Sequence, residues 1–244
     1  MKLDEVKDKN FSLMQLGMSG HGKTTRTLTA TRFGKLLILD FDGKIQGASR
    51  KLPDTLSASM PTNWRDLVEV ESLRDKPIED ATKIVKDLVA LKDKIPYATV
   101  AIDTYTLLNE KVYQKFVNAK LAKGLKAERD DWGQIGGYMS YFFDLLYQID
   151  ANLILNCHLM DEEDERSGQV KYGPQGKGGH RASLSGAFSD THYMFLKDGK
   201  YQIRLKNSET FSVNTTLPPQ FIDKNGLATI NDLSIFDGFA KIRK

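Results

Sequence analysis

Residues 13–28 read "LMQLGMSGHGKTTRTL". The run from Gly17 to Thr24 fits the spacing G-x-x-x-x-G-K-[ST], and each position in it has a physical task. Gly17, Gly20 and Gly22 let the backbone turn tightly and aim the N–H groups of the loop inward at an anion. Lys23 reaches the outer phosphates as a point charge. The Thr24 hydroxyl belongs in the coordination shell of Mg²⁺. A helix beginning here, with Thr25 in its first turn, favours negative charge at its N-terminus. The expected phosphate cradle is therefore Gly17, Met18, Ser19, Gly20, His21, Gly22, Lys23, Thr24 and Thr25. Such a loop needs a strand before it and a helix after it. "FSLMQLG" and "KTTRTLTATRFG", the latter stopping at Gly34, supply them. The alternative is a chance glycine-rich turn.

The remainder of the chain is consistent with an enzyme core around this loop. At 244 residues, 40% hydrophobic and 27% charged, it is long and apolar enough for one α/β domain with a sizeable core. The expected organisation is one domain over 1–244, with a core at about 11–207 and a tail at about 208–244. A single cysteine, Cys157, excludes an intrachain disulfide and a cysteine-based zinc cluster. The polar N-terminus and the absence of a long apolar run predict a cytoplasmic protein with no membrane partner. The net charge of +3 permits nucleic-acid binding without arguing for it.

Apolar runs alternate with helical patterns, which predicts βαβ units and a mostly parallel sheet flanked by helices. Strands are expected at "KLLILDFDG", "DLVEVES", "YATVAID" and "ANLILNCHL". Helices are expected at "PIEDATKIVKDLVALKDKI", from Leu107 towards a basic stretch around Gly124, and at "GGYMSYFFDLLYQID". "MDEEDERSGQVKYGPQGKGGHRASLSG" has no apolar periodicity and reads as a long functional loop. "THYMFLKDGKYQIRLKNS" reads as a C-terminal β-hairpin turning near Asp198-Gly199. "NDLSIFDGFAKIRK" shows a final helical pattern.

Candidate chemistry gathers at predicted strand ends, where ligands collect in parallel sheets. Asp103 closes "TVAID" and is the expected second metal residue beside Thr24; its alternative is a cap on the next helix. Asp42 in "DFDG" and Glu79 in "PIEDATKI" are the candidates to orient or deprotonate a water. Each has the alternative of a solvated cap or turn carboxylate. His158 ends the fifth apolar run, where a polar side chain is placed to meet a γ-phosphate.

Taken in order, the phosphate loop, "LLILDFDG", "TVAID", "LILNCH", a glycine-rich loop and a hairpin ending "RLKNS" resemble the RecA-like ATPase core. More narrowly they resemble the short phage-encoded RecA-like ATPases of single-strand annealing and recombination, over most of residues 11–207. The resemblance implies ATP and Mg²⁺ as ligands, a ring or filament with ATP at subunit interfaces, and single-stranded DNA as partner. A single-strand-binding protein is a further implied partner, and the cytoplasm of a bacterial host the implied location. "DFDG" is similar to the acidic motif of Rad-type recombinases, which implies Asp42 as the water-activating residue. "EDATKI" is similar to the helix start of bacterial RecA, which implies Glu79 instead. By the same resemblance His158 senses the γ-phosphate, the loop 161–179 binds DNA, and Lys206 in "RLKN" reaches a neighbour's ATP. The chain is shorter than a full recombinase, which leaves annealing, loading or another ATP-gated role rather than strand exchange.

A flexible basic loop with an aromatic can track single-stranded phosphates and stack a base. Lys171, Tyr172, Lys177, His180 and Arg181 are the candidates, and Lys115, Lys120, Lys123, Lys126 and Arg129 form a second basic stretch. The acidic run "DEEDER" opposes the first group. Two other readings stand beside this one: a small-molecule kinase using the same loop, and a nucleotide-gated scaffold with little turnover.

Overall fold

The computed structural model describes residues 10–50, 60–163 and 168–228. Seven strands form one sheet in the order β3-β2-β4-β5-β1-β8-β9. These are β1 (Ser12–Leu16), β2 (Leu36–Asp40), β3 (Val68–Ser72), β4 (Thr99–Asp103), β5 (Asn152–Cys157), β8 (Asp190–Lys197) and β9 (Lys200–Arg204). All pairs are parallel except β8 with β9, which form the C-terminal hairpin. Asp198 (φ 51°) and Gly199 (φ 73°) make its two-residue turn with both residues left-handed, the geometry that matches strand twist. This is the expected α/β P-loop core.

The central strands read as continuous apolar runs because both faces are covered. Leu37, Leu39, Val100, Ile102, Leu153 and Leu155 face one layer of helices. That layer is α3 (Pro77–Leu91), α4 (Tyr105–Leu121) and α5 (Arg129–Leu146). Leu13, Ile38, Ala101 and Ile154 face the opposite side, where α1 (Lys23–Leu28) and the 3₁₀ turns after it supply Leu28 and Ala30. α2 (Ile45–Arg50) follows β2 on a short turn. Pro77 opens α3 at its first turn, where its missing N–H costs nothing. α5 starts earlier than its apolar pattern suggested. Glu128 and Asp131 form a capping box that fixes the start, and the helix runs on through Gly133, Gly136 and Gly137.

The segment expected as a long loop is instead largely regular. β6 (Leu159–Glu163) pairs antiparallel with β7 (Val170–Pro174), and α6 (His180–Ala187) follows. β7 passes from exposed at Val170 and Lys171 to buried at Pro174 without alternation, so it leaves no alternating apolar signature. Part of the acidic run and the final helical pattern, residues 231–244, lie outside the described residues. Among the described residues no helix is long and apolar enough to cross a membrane.

The α3–α5 layer depends on a chain of aromatic contacts. Phe142 is buried, with ring centroids 6.2 Å from Tyr138 and 6.1 Å from Phe143. Phe142→Ala is expected to lower unfolding free energy by about 3–5 kcal/mol in chemical denaturation followed by circular dichroism. Tyr141→Ala, one residue away on the exposed face, is expected to cost about 1 kcal/mol or less. Equal costs at the two positions would contradict this packing.

Candidate active site

Strand register aligns a row of polar residues across the sheet. Ser72, Asp40, Asp103, Asn156, Gln15 and His192 are successive cross-strand partners. Buried polar groups need partners, and at the centre of this row neighbours supply several of them. Gln15 Nε2 donates to Asn156 Oδ1 at 2.8 Å, and Asn156 Nδ2 donates to Asp103 Oδ1 at 3.1 Å. The second Asp103 oxygen accepts the Thr24 hydroxyl at 2.8 Å. Burial pushes the Asp103 carboxyl up to about 6, against the pull of these hydrogen bonds. Asp103 does not cap α4. Thr104 does, its hydroxyl oxygen accepting the Leu107 N–H at 3.3 Å. The peptide between Asp103 and Thr104 is cis.

The glycine loop lies between β1 and α1, as its spacing requires. The Gly17 N–H donates to the Cys157 carbonyl at 3.3 Å. A Cβ on Gly17 would fall 2.7 Å from the Met194 carbonyl oxygen, so any larger residue forces β1 and β8 apart at this point. Gly20 (φ 81°) and Gly22 (φ 82°) hold the left-handed turns. Lys23 is folded onto its own loop, its ammonium donating to the carbonyls of Gly17 (2.6 Å) and Met18 (2.9 Å). Burial lowers its pKa to about 8, opposed chiefly by the charge of Asp103. Three residues on, Arg26 is buried and donates from Nη2 to His192 Nδ1 at 3.0 Å, which ties α1 to β8. Burial holds His192 down to about 4, so it is the neutral acceptor this bond needs.

Ser19, Gly20, Gly22, Lys23, Thr24 and Thr25 open onto a cleft of about 680 Å³, which Asp42, Lys44, Arg50, Asp103, His158 and Tyr201 also line. Asp42 is no free turn carboxylate: it is mostly buried and pairs with Lys44 at 2.9 Å. Burial, then the charge of Lys23, lowers the pKa of His158, leaving it a neutral ring at the cleft wall. The Tyr201 hydroxyl, on β9, approaches the Gly20 carbonyl at 3.4 Å. Gly17, Met18 and His21 shape the loop from behind, with His21 Nδ1 3.0 Å from the Met194 oxygen.

Two candidates are not brought to this cleft. Glu79 sits in the first turn of α3 and pairs with Lys115 of α4, which holds its carboxyl below the usual range. Lys206 is exposed just beyond β9. Gln15, Lys44 and Tyr201 were missed, and Asn156 stood only as the lesser candidate beside His158. A polar residue inside the apolar run "LILNC" was the available signal for Asn156; Tyr201 left none.

Thr24 and Asp103 fit Mg²⁺. Both present hard oxygens, they are 2.8 Å apart, and the cleft leaves room for phosphate oxygens and water in the remaining positions. When bound, the ion would neutralise phosphate charge. No other cluster of His, Cys, Asp or Glu suited to a metal occurs among the described residues.

A second cleft, of about 750 Å³, lies between the β6–β7 ribbon and residues 207–212. Lys171, Tyr172 and Arg181 line it, together with Gly178, Gly179, Glu209 and Phe211. Lys177 and His180 do not. Lys177 pairs with Glu110 at 2.8 Å and covers the Tyr113 ring, and His180 stacks on Phe143 at 5.3 Å. In the other basic stretch Lys120 is bound to Glu128 and Asp131, both at 2.9 Å.

The raised pKa of Asp103 fixes the sign of one pH effect. Protons compete with a cation for this carboxylate, and the raised pKa brings that competition up towards about pH 6. Nucleotide affinity is therefore expected to tighten with Mg²⁺ at neutral pH and to lose that tightening as pH falls through about 6. Asp103→Asn is expected to show a weaker Mg²⁺ effect that no longer depends on the protonation of this position. Tightening in the wild type that persists below about pH 5, where ordinary carboxylates still ionise, would contradict the assignment.

No curated protein matches the chain. The family model of an AAA domain matches residues 9–215, from just before β1 past the hairpin and the second cleft. With the phosphate loop following β1, an aspartate bonded to Thr24 at the end of β4 and the parallel sheet that joins them, the chain belongs to this AAA domain family and is an AAA-type P-loop ATPase.

Proposed function

We propose that the chain hydrolyses ATP with Mg²⁺ and couples this to single-stranded DNA, as a RecA-like protein of phage recombination or annealing working in a bacterial cytoplasm. The observation that carries the reading is that both clefts share one root. His158 lines the nucleotide cleft, and its carbonyl accepts the Gln175 N–H at 2.8 Å at the base of the β6–β7 ribbon. Its own N–H donates to the Thr106 hydroxyl at 3.0 Å, and that hydroxyl donates on to the Gln175 carbonyl at 3.2 Å. A shift of His158 towards a γ-phosphate would pull on the ribbon that walls the second cleft.

In the nucleotide cleft, Lys23 and the loop N–H groups would hold the phosphates. Asp42 would orient a water whose oxygen bonds to the γ-phosphorus as the bond from that phosphorus to the β–γ bridging oxygen breaks. The water proton passes through Asp42 to the departing phosphate, and ADP leaves. In the second cleft, Lys171 and Arg181 would meet backbone phosphates. One face of Tyr172 is already covered by Phe211, with centroids 4.6 Å apart and planes 10° from parallel, so a base would stack on the other. Lys206, exposed beside this region, would reach the ATP of a neighbouring subunit in a ring or filament. A single-strand-binding protein is a fitting partner for such an assembly.

The test is steady-state phosphate release from ATP and Mg²⁺ with and without single-stranded DNA, for the wild type, Lys23→Ala and Lys206→Ala. We expect stimulation by DNA in the wild type, no turnover in Lys23→Ala, and loss of the stimulation in Lys206→Ala with nucleotide binding kept. Turnover indifferent to DNA would overturn the DNA reading. Transfer to a small acceptor would favour a kinase, and ATP-dependent assembly without phosphate release a scaffold.

A further inference from the structure

The turn after β2 carries two charges into the nucleotide cleft, and the chemistry above uses only one. Asp40 Oδ1 accepts the N–H groups of Asp42 (3.0 Å) and Gly43 (2.7 Å), and Gly43 is left-handed at φ 71°. These bonds fix the turn so that residues 42 and 44 line the same cleft as Lys23, Thr24 and His158. Lys44 Nζ lies 2.9 Å from Asp42 Oδ1. The two partners differ in exposure: the Asp42 side chain is 15% exposed and that of Lys44 68%. The charge of Lys44 reaches inward, opposing protonation of both Lys23 and His158.

A carboxylate occupied by an ammonium has less capacity to hold a water. An ion pair exposed at one end is weak. A terminal phosphate offers more negative charge and stronger charge-assisted hydrogen bonds, and the flexible four-carbon stem of lysine lets the head group move without its backbone. We propose that Lys44 is a γ-phosphate-binding residue that exchanges Asp42 for the terminal phosphate of ATP, so that Asp42 is released to hold water only when that phosphate is present. ADP, lacking the γ-phosphate, leaves the Lys44–Asp42 pair in place. The exchange thus separates the two nucleotides by a contact additional to the one Lys23 makes with the phosphates. The inference rests on the nucleotide-site reading and adds a discriminating role within it.

The test is equilibrium binding of a non-hydrolysable ATP analogue and of ADP, each with Mg²⁺, to the full chain and to Lys44→Ala, Lys44→Arg and Lys23→Ala. The exposed position of Lys44 makes its replacement harmless to the core, which circular dichroism checks. Lys44→Ala is expected to weaken the analogue by about tenfold or more while ADP is unchanged, the range of one lost charge-assisted contact. Lys44→Arg is expected to restore the preference for the analogue. Analogue and ADP weakened equally, or neither weakened, overturns the exchange while a Lys23→Ala loss of both leaves the nucleotide site standing. A wild type that binds neither nucleotide overturns both.

Discussion

An ammonium taken out of water is costly unless other groups replace its hydration, and the Lys23 ammonium is the constraint on which this site depends. It is 6% exposed as a residue and is held by the Gly17 and Met18 carbonyls. Those carbonyls point at it only because the loop turns through left-handed glycines and passes against the Met194 oxygen with no Cβ on Gly17. That close approach follows from strand order: β1 lies between β5 and β8, so the loop leaves the sheet between the ends of two neighbours. Phosphate oxygens are better partners for Lys23 than its own carbonyls, and binding a nucleotide would exchange one set for the other.

The same row of strand ends explains why Asp103 and Thr24 are so firmly placed. Asp103 is buried and its two oxygens are each assigned, one to Asn156 and one to Thr24. Gln15 orients Asn156 in turn and also donates to Thr27 of α1 at 3.0 Å. Rigid sheet, polar row and first helix are thus one hydrogen-bonded unit. The turn at Asp42–Lys44 lies at the edge of that unit, anchored by Asp40 but with its lysine in solvent, which is where movement is inexpensive.

Much of this was legible from residue order. Glycine spacing around Lys23 announces the loop because few other structures need it, and Asp103 stands out because a charge ends an apolar strand. Gln15 was not legible as a site residue and Asn156 only weakly so: their role comes from register, which aligns residues far apart in the chain. The β6–β7 ribbon escaped because the burial of β7 runs from an exposed end to a buried one instead of alternating, so no period-two pattern marks it. In sequence Glu79 is the second candidate after Asp42, and helix α3 turns it to Lys115. Residue order places Tyr172 in a flexible basic loop, whereas it ends a run of stacked rings through Phe211 and Tyr193 to Phe195, with centroids 4.6, 4.1 and 5.2 Å apart.

The most direct test of the account is the titration of Lys23 itself, followed by ¹³C NMR at its Cε and assigned by the signal lost in Lys23→Arg. Its pKa is expected near 8 in the protein alone, well below the 10.5 of an ordinary lysine, and to rise when a nucleotide triphosphate binds with Mg²⁺. A Lys23 that titrates like an ordinary lysine, or whose pKa does not move with nucleotide, would contradict a buried ammonium awaiting phosphate.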